Sequence, residues 1–162
     1  MKVFLTGKKH IGKSSVIDRF LEETGVSAAG FRTVFNRDGD CRRLFMQSPD
    51  GKMSAVVAHS ENGRIYADTE QFNAFAPRLI DISGSIVLMD ELGFLESDAH
   101  AFHAAVMGVL DSGRDVLGVI REGFPGWTAE IARRSDVEII TVTEENRDSL
   151  PLLLRQKFFN RA

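Results

Sequence analysis

Residues 7–14 constrain the fold of this chain more than any other segment. They read Gly-Lys-Lys-His-Ile-Gly-Lys-Ser and fit the pattern G-x-x-x-x-G-K-[ST] at every fixed position. The apolar run Lys2–Thr6 precedes them and predicts a buried strand. The following segment, Lys13–Thr24, repeats its apolar residues at helical spacing. A strand, a glycine loop and a helix in this order form the arrangement in which such a loop binds an anion.

The spacing of this motif suits a polyphosphate. Gly7 and Gly12 let the backbone wrap closely around phosphate oxygens, so that successive N–H groups and the helix N-terminus face the anion. Lys13 is expected to reach the β- and γ-phosphates, and Ser14 to place a hydroxyl on Mg²⁺. A solvated Gly/Lys surface loop is the alternative, which the flanking strand and helix disfavour. The predicted nucleotide-binding residues are Gly7, Lys8, Lys9, His10, Ile11, Gly12, Lys13, Ser14 and Ser15.

A second motif places two carboxylates after an apolar strand, Ser85–Met89. In a doubly wound sheet, ligands bind beyond the carboxyl ends of the strands. Asp90 is therefore predicted to hold Mg²⁺ together with Ser14, and Glu91 to orient and deprotonate an attacking water. The alternative is a strand that ends in an ordinary polar turn. The presence of the glycine loop in the same chain as this acidic motif favours the catalytic interpretation.

Strand and helix patterns alternate at both ends of the chain, and short strands separated by turns occupy the middle. The predicted strands are Lys2–Thr6, Phe31–Phe35, Cys41–Met46, Ser54–Ala58, Ser85–Met89, Asp115–Ile120 and Val137–Val142. The predicted helices are Lys13–Thr24, Thr69–Leu79, Asp98–Ser112, Thr128–Ser135 and Ser149–Phe159. Turns are expected at residues 36–40 and 48–52, a stop near Pro77 and a helix cap at Ser97. The prediction is one α/β domain over residues 1–162, with a mostly parallel sheet flanked by helices and an antiparallel hairpin insertion after the first helix.

Composition limits the classes of partner. The net charge of −3 argues against nucleic-acid binding through overall charge, and Cys41 alone forms neither an internal disulfide nor a multi-cysteine zinc site. Apolar runs such as Ile86–Met89 are far shorter than the roughly 20 residues of a membrane span, and no signal peptide is visible after Lys2. We therefore expect a cytoplasmic protein without membrane contact. The oligomeric state stays open, with a monomer slightly favoured.

Three segments suggest a family. Asp90–Glu96 reads D-E-L-G-F-L-E and resembles the D-E-I-G-x-M-E segment of the small P-loop nucleoside-triphosphatases of thermophilic bacteria, archaea and vertebrates. Gly30–Thr33 resembles the family's G-F-x-T segment, and Thr143–Leu150 resembles its C-terminal N-R-D segment. Phe94 stands where a lysine is common, which marks a divergent member.

The resemblance implies a RecA-like P-loop fold and Mg²⁺-dependent hydrolysis of ATP, GTP and other nucleoside triphosphates to diphosphate and phosphate. It gives Lys13, Ser14, Asp90 and Glu91 the roles argued above.

Other polar residues carry weaker predictions. Arg121 follows an apolar strand and could stabilise charge on the γ-phosphoryl oxygens, or it could be an ordinary solvated arginine. Asn146 could contact a nucleotide base, or it could belong to the start of the last helix. Glu96 could be part of the family segment or only decorate a helix start. Candidates for the role of Arg121 that are mostly expected to be surface charges are Arg32, Arg37, Arg42 and Arg43.

Two other functions stay open. A nucleotide or small-metabolite kinase would need a second pocket and usually an arginine-rich lid, and no such basic segment is clear. A GTP-binding switch is compatible with D-x-x-G at Asp90–Gly93, but the guanine-reading N-K-x-D is missing.

Overall fold

The computed structural model describes residues 1–38, 41–80 and 83–160. Its strands are β1 (Lys2–Thr6), β2 (Ala28–Asp38), β3 (Cys41–Gln47), β4 (Ser54–Glu61), β5 (Arg64–Ala67), β6 (Ile86–Leu92), β7 (Val116–Ile120) and β8 (Glu138–Thr141). Its helices are α1 (Lys13–Thr24), α2 (Thr69–Ile80), α3 (His100–Asp111), α4 (Thr128–Ala132) and α5 (Leu150–Phe159). None of the helices in these ranges is long and apolar enough to span a bilayer.

All the strands join one sheet in the order β5-β4-β3-β2-β6-β7-β1-β8. Neighbouring strands are parallel in one part of the sheet, which has the order β2-β6-β7-β1-β8. The neighbours from β2 through β3 and β4 to β5 run antiparallel. The predicted parallel sheet with an antiparallel insertion after the first helix is therefore confirmed.

Helices cover the parallel part of the sheet on both faces, which explains the apolar character of its strands. In β6, Ile86 and Leu88 join the core that α1 and α5 form, while Val87 and Met89 join the core of α2 and α3. Alternate side chains of one strand thus enter different cores. The carboxyl end of this buried strand carries the acidic pair.

The antiparallel part departs from prediction in β2, β4 and β5. β4 continues to Glu61, three residues beyond the predicted end at Ala58. β2 is longer than Phe31–Phe35 because it pairs with β6 at one end and with β3 at the other. Asn36 consequently lies in the strand and not in a turn, and residues 39–40 of that predicted turn lie outside the described residues. β5 was not predicted, although Asn62-Gly63 before it, with φ of 49° and 75°, is a typical hairpin dipeptide.

Helices α2, α3 and α4 also begin or end at residues other than those predicted. Pro77 does not stop α2, which continues to Ile80. Packing of the buried Phe75 and Leu79 in the core keeps this turn helical beyond the proline. Ser97 is not a helix cap, because α3 begins at His100 without a side-chain cap. α4 ends three residues before the predicted Ser135.

Candidate active site

The glycine loop connects β1 to α1 with a backbone that needs left-handed conformations. Gly7, His10 and Gly12 have φ of 135°, 64° and 115°. A Cβ on Gly7 would lie 2.8 Å from the carbonyl oxygen of Val142, so only glycine fits there without displacing the neighbouring chain. The fixed glycines of the motif thus serve the shape of the loop.

Lys13 folds back over this loop. Its Nζ donates hydrogen bonds to the carbonyl oxygens of Gly7, at 2.8 Å, and Lys8, at 2.9 Å. The first residue of α1 therefore holds a positive charge at the centre of the turn that precedes it. Such a cation beside the N-terminus of a helix makes the loop attractive to anions.

The structure brings Ser14 and Asp90 together from positions far apart in the chain. Ser14 Oγ lies 3.5 Å from Asp90 Oδ2, and Asp90 is buried, with 4% of the residue exposed. Burial raises the pKa of Asp90 above its ordinary value, although the positive charge of Arg32 opposes this shift. The glycine loop and the acidic strand end thus meet at one edge of the sheet.

The pairing of β6 with β7 is irregular at Glu91. Asp90 and Leu92 face consecutive residues of β7, Val119 and Ile120, so Glu91 is an extra residue in the strand. Its backbone N–H donates to the hydroxyl oxygen of Thr33 at 3.2 Å.

The Glu91 side chain is half-buried. Burial raises its pKa, and the nearby charge of Lys13 acts in the opposite direction. A carboxylate with a raised pKa beside the loop is suited to accept a proton.

Arg32, one of the arginines predicted to be mostly surface charges, joins the site. Its Nε and Nη2 donate to Asp90 Oδ2 at 3.3 and 3.1 Å, and its Nη1 donates to Asp18 on α1. The register of β2 on β6 places Arg32 directly beside Asp90. The contact with Asp90 depends on this pairing, so it could not be predicted from the sequence.

Comparisons with known proteins decide the family. Residues 2–154 match the family described as NTPase. The chain belongs to this family.

Two curated relatives cover nearly the same length. The nucleoside-triphosphatase THEP1 of Thermotoga maritima is 27% identical over 160 residues, which is 93% of this chain and 91% of that protein. The cancer-related nucleoside-triphosphatase of Homo sapiens is 30% identical over 178 residues, or 91% of each chain.

A solved structure supports the fold. The crystal structure of THEP1 from Aquifex aeolicus matches with a TM-score of 0.82 and 21% identity, and it covers 98% of this chain and 99% of that one. The predicted family, the α/β P-loop NTPase fold and the predicted class of enzyme, a nucleoside-triphosphatase, are confirmed.

The G-F-x-T segment of this NTPase has a structural explanation. Gly30 has φ of 96°, and a Cβ there would lie 2.1 Å from the carbonyl oxygen of Leu88. Phe31 is fully buried in the core. The next two residues, Arg32 and Thr33, turn to the site and bind the acidic pair.

The turn after the acidic pair is closed by Glu96. Its carboxylate accepts the N–H of Gly93, and only 3% of the residue is exposed. Trp127 Nε1 donates to the Gly93 carbonyl oxygen at 3.2 Å, and the ring of His103 stacks on Trp127 at 4.0 Å. Burial raises the pKa of Glu96. Glu96 is therefore an internal brace of this turn and not a decoration of the helix surface.

Arg121 lies at the same strand-end edge. Its backbone N–H donates to the Leu92 carbonyl oxygen at 2.9 Å, and its guanidinium lies 4.5 Å from the ring centre of Phe94. Its charge lowers the pKa of Glu91 slightly against the larger effect of burial, so the two side chains are in electrostatic reach. In this structure the guanidinium is exposed and stacked on the aromatic ring.

The N-R-D segment flanks the glycine loop. Asn146 bonds its own loop, with Oδ1 accepting the N–H of Thr143 at 2.8 Å and Nδ2 donating to Thr141 at 2.9 Å. Arg147 Nη1 donates to the carbonyl oxygen of Ile11 at 3.3 Å. A cleft of about 260 Å³ opens beside this contact. Its lining residues are Gly12, Ser15, Val16, Arg19, Arg147 and Asp148.

Proposed function

We propose that the chain is a Mg²⁺-dependent nucleoside-triphosphatase that converts ATP, GTP and other nucleoside triphosphates to the diphosphate and phosphate. One observation carries this proposal. The hydroxyl of Ser14 and the carboxylate of Asp90, which belong to the two sequence motifs, lie 3.5 Å apart at the end of the parallel strands. That edge is where ligands bind in open α/β sheets.

Residues 7–15 would bind the triphosphate. The backbone N–H groups of the loop supply donors, and Lys13 would exchange the carbonyl oxygens of Gly7 and Lys8 for oxygens of the β- and γ-phosphates. That exchange suits an ammonium group because phosphate oxygens carry more negative charge than carbonyl oxygens.

Ser14 and Asp90 fit a magnesium ion by their chemistry. A hydroxyl and a carboxylate are the hard oxygen donors that Mg²⁺ prefers, and the remaining positions are usually filled by water and phosphate oxygens. When bound, the ion supplies positive charge against the β- and γ-phosphate oxygens. Asp90 would hold it directly or through a water.

Glu91 would act as the general base. Its carboxylate accepts a proton from water as the water oxygen bonds to the γ-phosphorus. The bond from that phosphorus to the oxygen bridging it to the β-phosphate breaks, and its electrons stay on the diphosphate. The hydrogen bond from the Glu91 backbone to Thr33 fixes the base relative to β2.

Two further roles complete the proposal. Arg121 would stabilise the charge that develops on the γ-phosphoryl oxygens after leaving the ring of Phe94. Asn146 would contact the nucleotide base from the loop beside the cleft lined by Ser15 and Arg147. That contact competes with the bonds Asn146 makes within its own loop.

Phosphate release across a panel of ATP, GTP, CTP and UTP tests this function. We expect formation of the diphosphate in a one-to-one ratio with phosphate, and loss of the reaction when EDTA removes Mg²⁺. Hydrolysis that persists in EDTA would contradict the metal role. Phosphorylation of an added acceptor faster than phosphate release would favour the kinase alternative.

A further inference from the structure

The arginine beside the acidic pair bonds the same Asp90 oxygen that faces Ser14. Arg32 directs two nitrogens, Nε and Nη2, to a single oxygen of Asp90, Oδ2, at 3.3 and 3.1 Å. The same oxygen is the one that lies 3.5 Å from Ser14 Oγ. The third nitrogen, Nη1, bonds Asp18 on the exposed side of α1.

The two carboxylates that bond the Arg32 guanidinium differ in their exposure to solvent. The Asp90 side chain is 6% exposed, the Arg32 side chain 22% and the Asp18 side chain 50%. A buried carboxylate is costly unless a cation and hydrogen bonds compensate it. Arg32 supplies that compensation to Asp90, while its bond to Asp18 faces solvent.

A metal ion and the Arg32 guanidinium would weaken each other's binding to Asp90 Oδ2. Mg²⁺ binds carboxylate oxygens at about 2.0–2.1 Å, and even a water-mediated ion places two positive charges beside the guanidinium. Two cations at one oxygen repel each other. Because Asp18 holds the other side of the guanidinium, Arg32 can leave Asp90 without losing its counter-charge.

We propose that Arg32 is an exchangeable counter-ion of Asp90. It neutralises the buried carboxylate when metal is absent, and it releases Oδ2 to the metal while it keeps its bond to Asp18. The inference rests on the proposed function only for the position of the metal. It makes Arg32 a positioning residue that sets the concentration of metal at which the site fills.

Thermal unfolding with titrated Mg²⁺ tests this exchange, first with the metal alone and then with ADP present. In EDTA, Arg32→Met should lower the melting temperature, because Asp90 loses its partner. Mg²⁺ should then restore most of that loss and raise the melting temperature of the variant more than that of the wild type. The concentration of Mg²⁺ for half the shift should fall at least threefold.

Arg134→Met is the matched control. The Arg134 side chain is 19% exposed and bonds two carboxylates, Asp111 and Asp136. Asp136 also accepts a hydrogen bond from Lys2 at the start of β1, the end opposite the glycine loop. The half-shift concentration of Arg134→Met should stay within twofold of the wild type. Arg32→Lys, which keeps the charge on a shorter side chain with one donor group, should give a smaller fall than Arg32→Met and guards against a variant that fails to fold.

The outcomes separate this inference from the proposed function. Equal Mg²⁺ shifts in the wild type and Arg32→Met would overturn the exchange and leave a merely structural ion pair, even if hydrolysis requires metal. A higher half-shift concentration in the variant would also overturn it, because Arg32 would then assist metal binding. No metal shift in any protein, together with hydrolysis in EDTA, would overturn the metal site itself.

Discussion

The parallel and antiparallel parts of the sheet differ in how they are buried and in what they bring to the site. In the parallel part, β6 and β7 are covered on both faces, and their ends carry Asp90, Glu91 and Arg121 to one edge. The antiparallel part leaves large apolar side chains exposed. They are Val34, Phe35, Val56, Ile65 and Tyr66.

β2 belongs to both parts and shows what the difference means. Arg32 faces Asp90 of β6 on one side and Gln47 of β3 on the other, at the point where parallel pairing gives way to antiparallel pairing. Beyond this point, the candidate arginines Arg37, Arg42 and Arg43 lie on the antiparallel pair of β2 and β3. The candidate catalytic groups therefore depend on the parallel part. The antiparallel extension, which consists of β3, β4, β5 and the stretch of β2 paired with β3, joins them through Arg32 and Thr33.

If the parallel part holds the reacting groups, Lys13→Ala should have the largest effect. It removes the cation that would meet the β- and γ-phosphates, so kcat/KM should fall by about 1,000-fold and triphosphate binding should weaken. Phosphate release and nucleotide titration measure the two effects. Lys52→Ala, an exposed lysine in the extension, is the control and should match the wild type. Normal turnover in Lys13→Ala would remove the loop from the active site.

Glu91→Gln should retain nucleotide and lose turnover. The amide keeps the shape of the side chain without its basicity, so kcat should fall by about 100-fold with little change in binding affinity. Single-turnover hydrolysis and equilibrium binding separate the two quantities. Glu122→Gln, at an exposed residue on the same edge of the molecule, should be unaffected. An active Glu91→Gln would reject this residue as the base.

The pH dependence of hydrolysis should report the burial of Glu91. Burial raises its pKa above the ordinary 4.5, and the base works only when it is unprotonated. Activity should therefore fall as the pH drops through this raised pKa, at a higher pH than an exposed glutamate would give. A profile of kcat/KM against pH measures it. An acid limb at or below pH 4.5 would contradict the assignment.

Gly30→Ala tests the strand that joins the two parts of the sheet, β2. The added Cβ would meet the Leu88 carbonyl oxygen at 2.1 Å, so the free energy of unfolding should fall by about 2–3 kcal/mol. Gly25→Ala is the control, since it also has positive φ but nothing within 4 Å, and it should cost about 1 kcal/mol. Denaturant unfolding measures both. Equal losses would mean that the close approach to β6 has no role.

Tyr66→Ser in the extension should have the smallest effect. Tyr66 is 46% exposed and stacks on His59 with ring centres 5.3 Å apart. Its loss should lower the free energy of unfolding by about 1 kcal/mol and change kcat less than twofold. A large loss of turnover would show that the extension takes part in the reaction, which would break the comparison.

Local spacing in the sequence could point to the candidate groups that stand in a motif or follow an apolar run. Lys13 and Ser14 stand in one motif, and Asp90 follows the apolar run Ser85–Met89, which is typical of a central strand. The contacts of Arg32 and Thr33 with the acidic pair could not be predicted. Their partners Asp90 and Glu91 are 58 residues away in the sequence and meet them only through strand pairing. The predicted helix stop near Pro77 was wrong for the opposite reason. The local preference of proline was outweighed by the tertiary packing of α2.

The close approach of Gly30 to Leu88 has a consequence for the alignment of β2 on β6. At φ of 96°, position 30 admits no Cβ beside the Leu88 carbonyl oxygen, so glycine suits this point of the ladder. The contact therefore favours the observed alignment, which sets Arg32 beside Asp90 two residues further along.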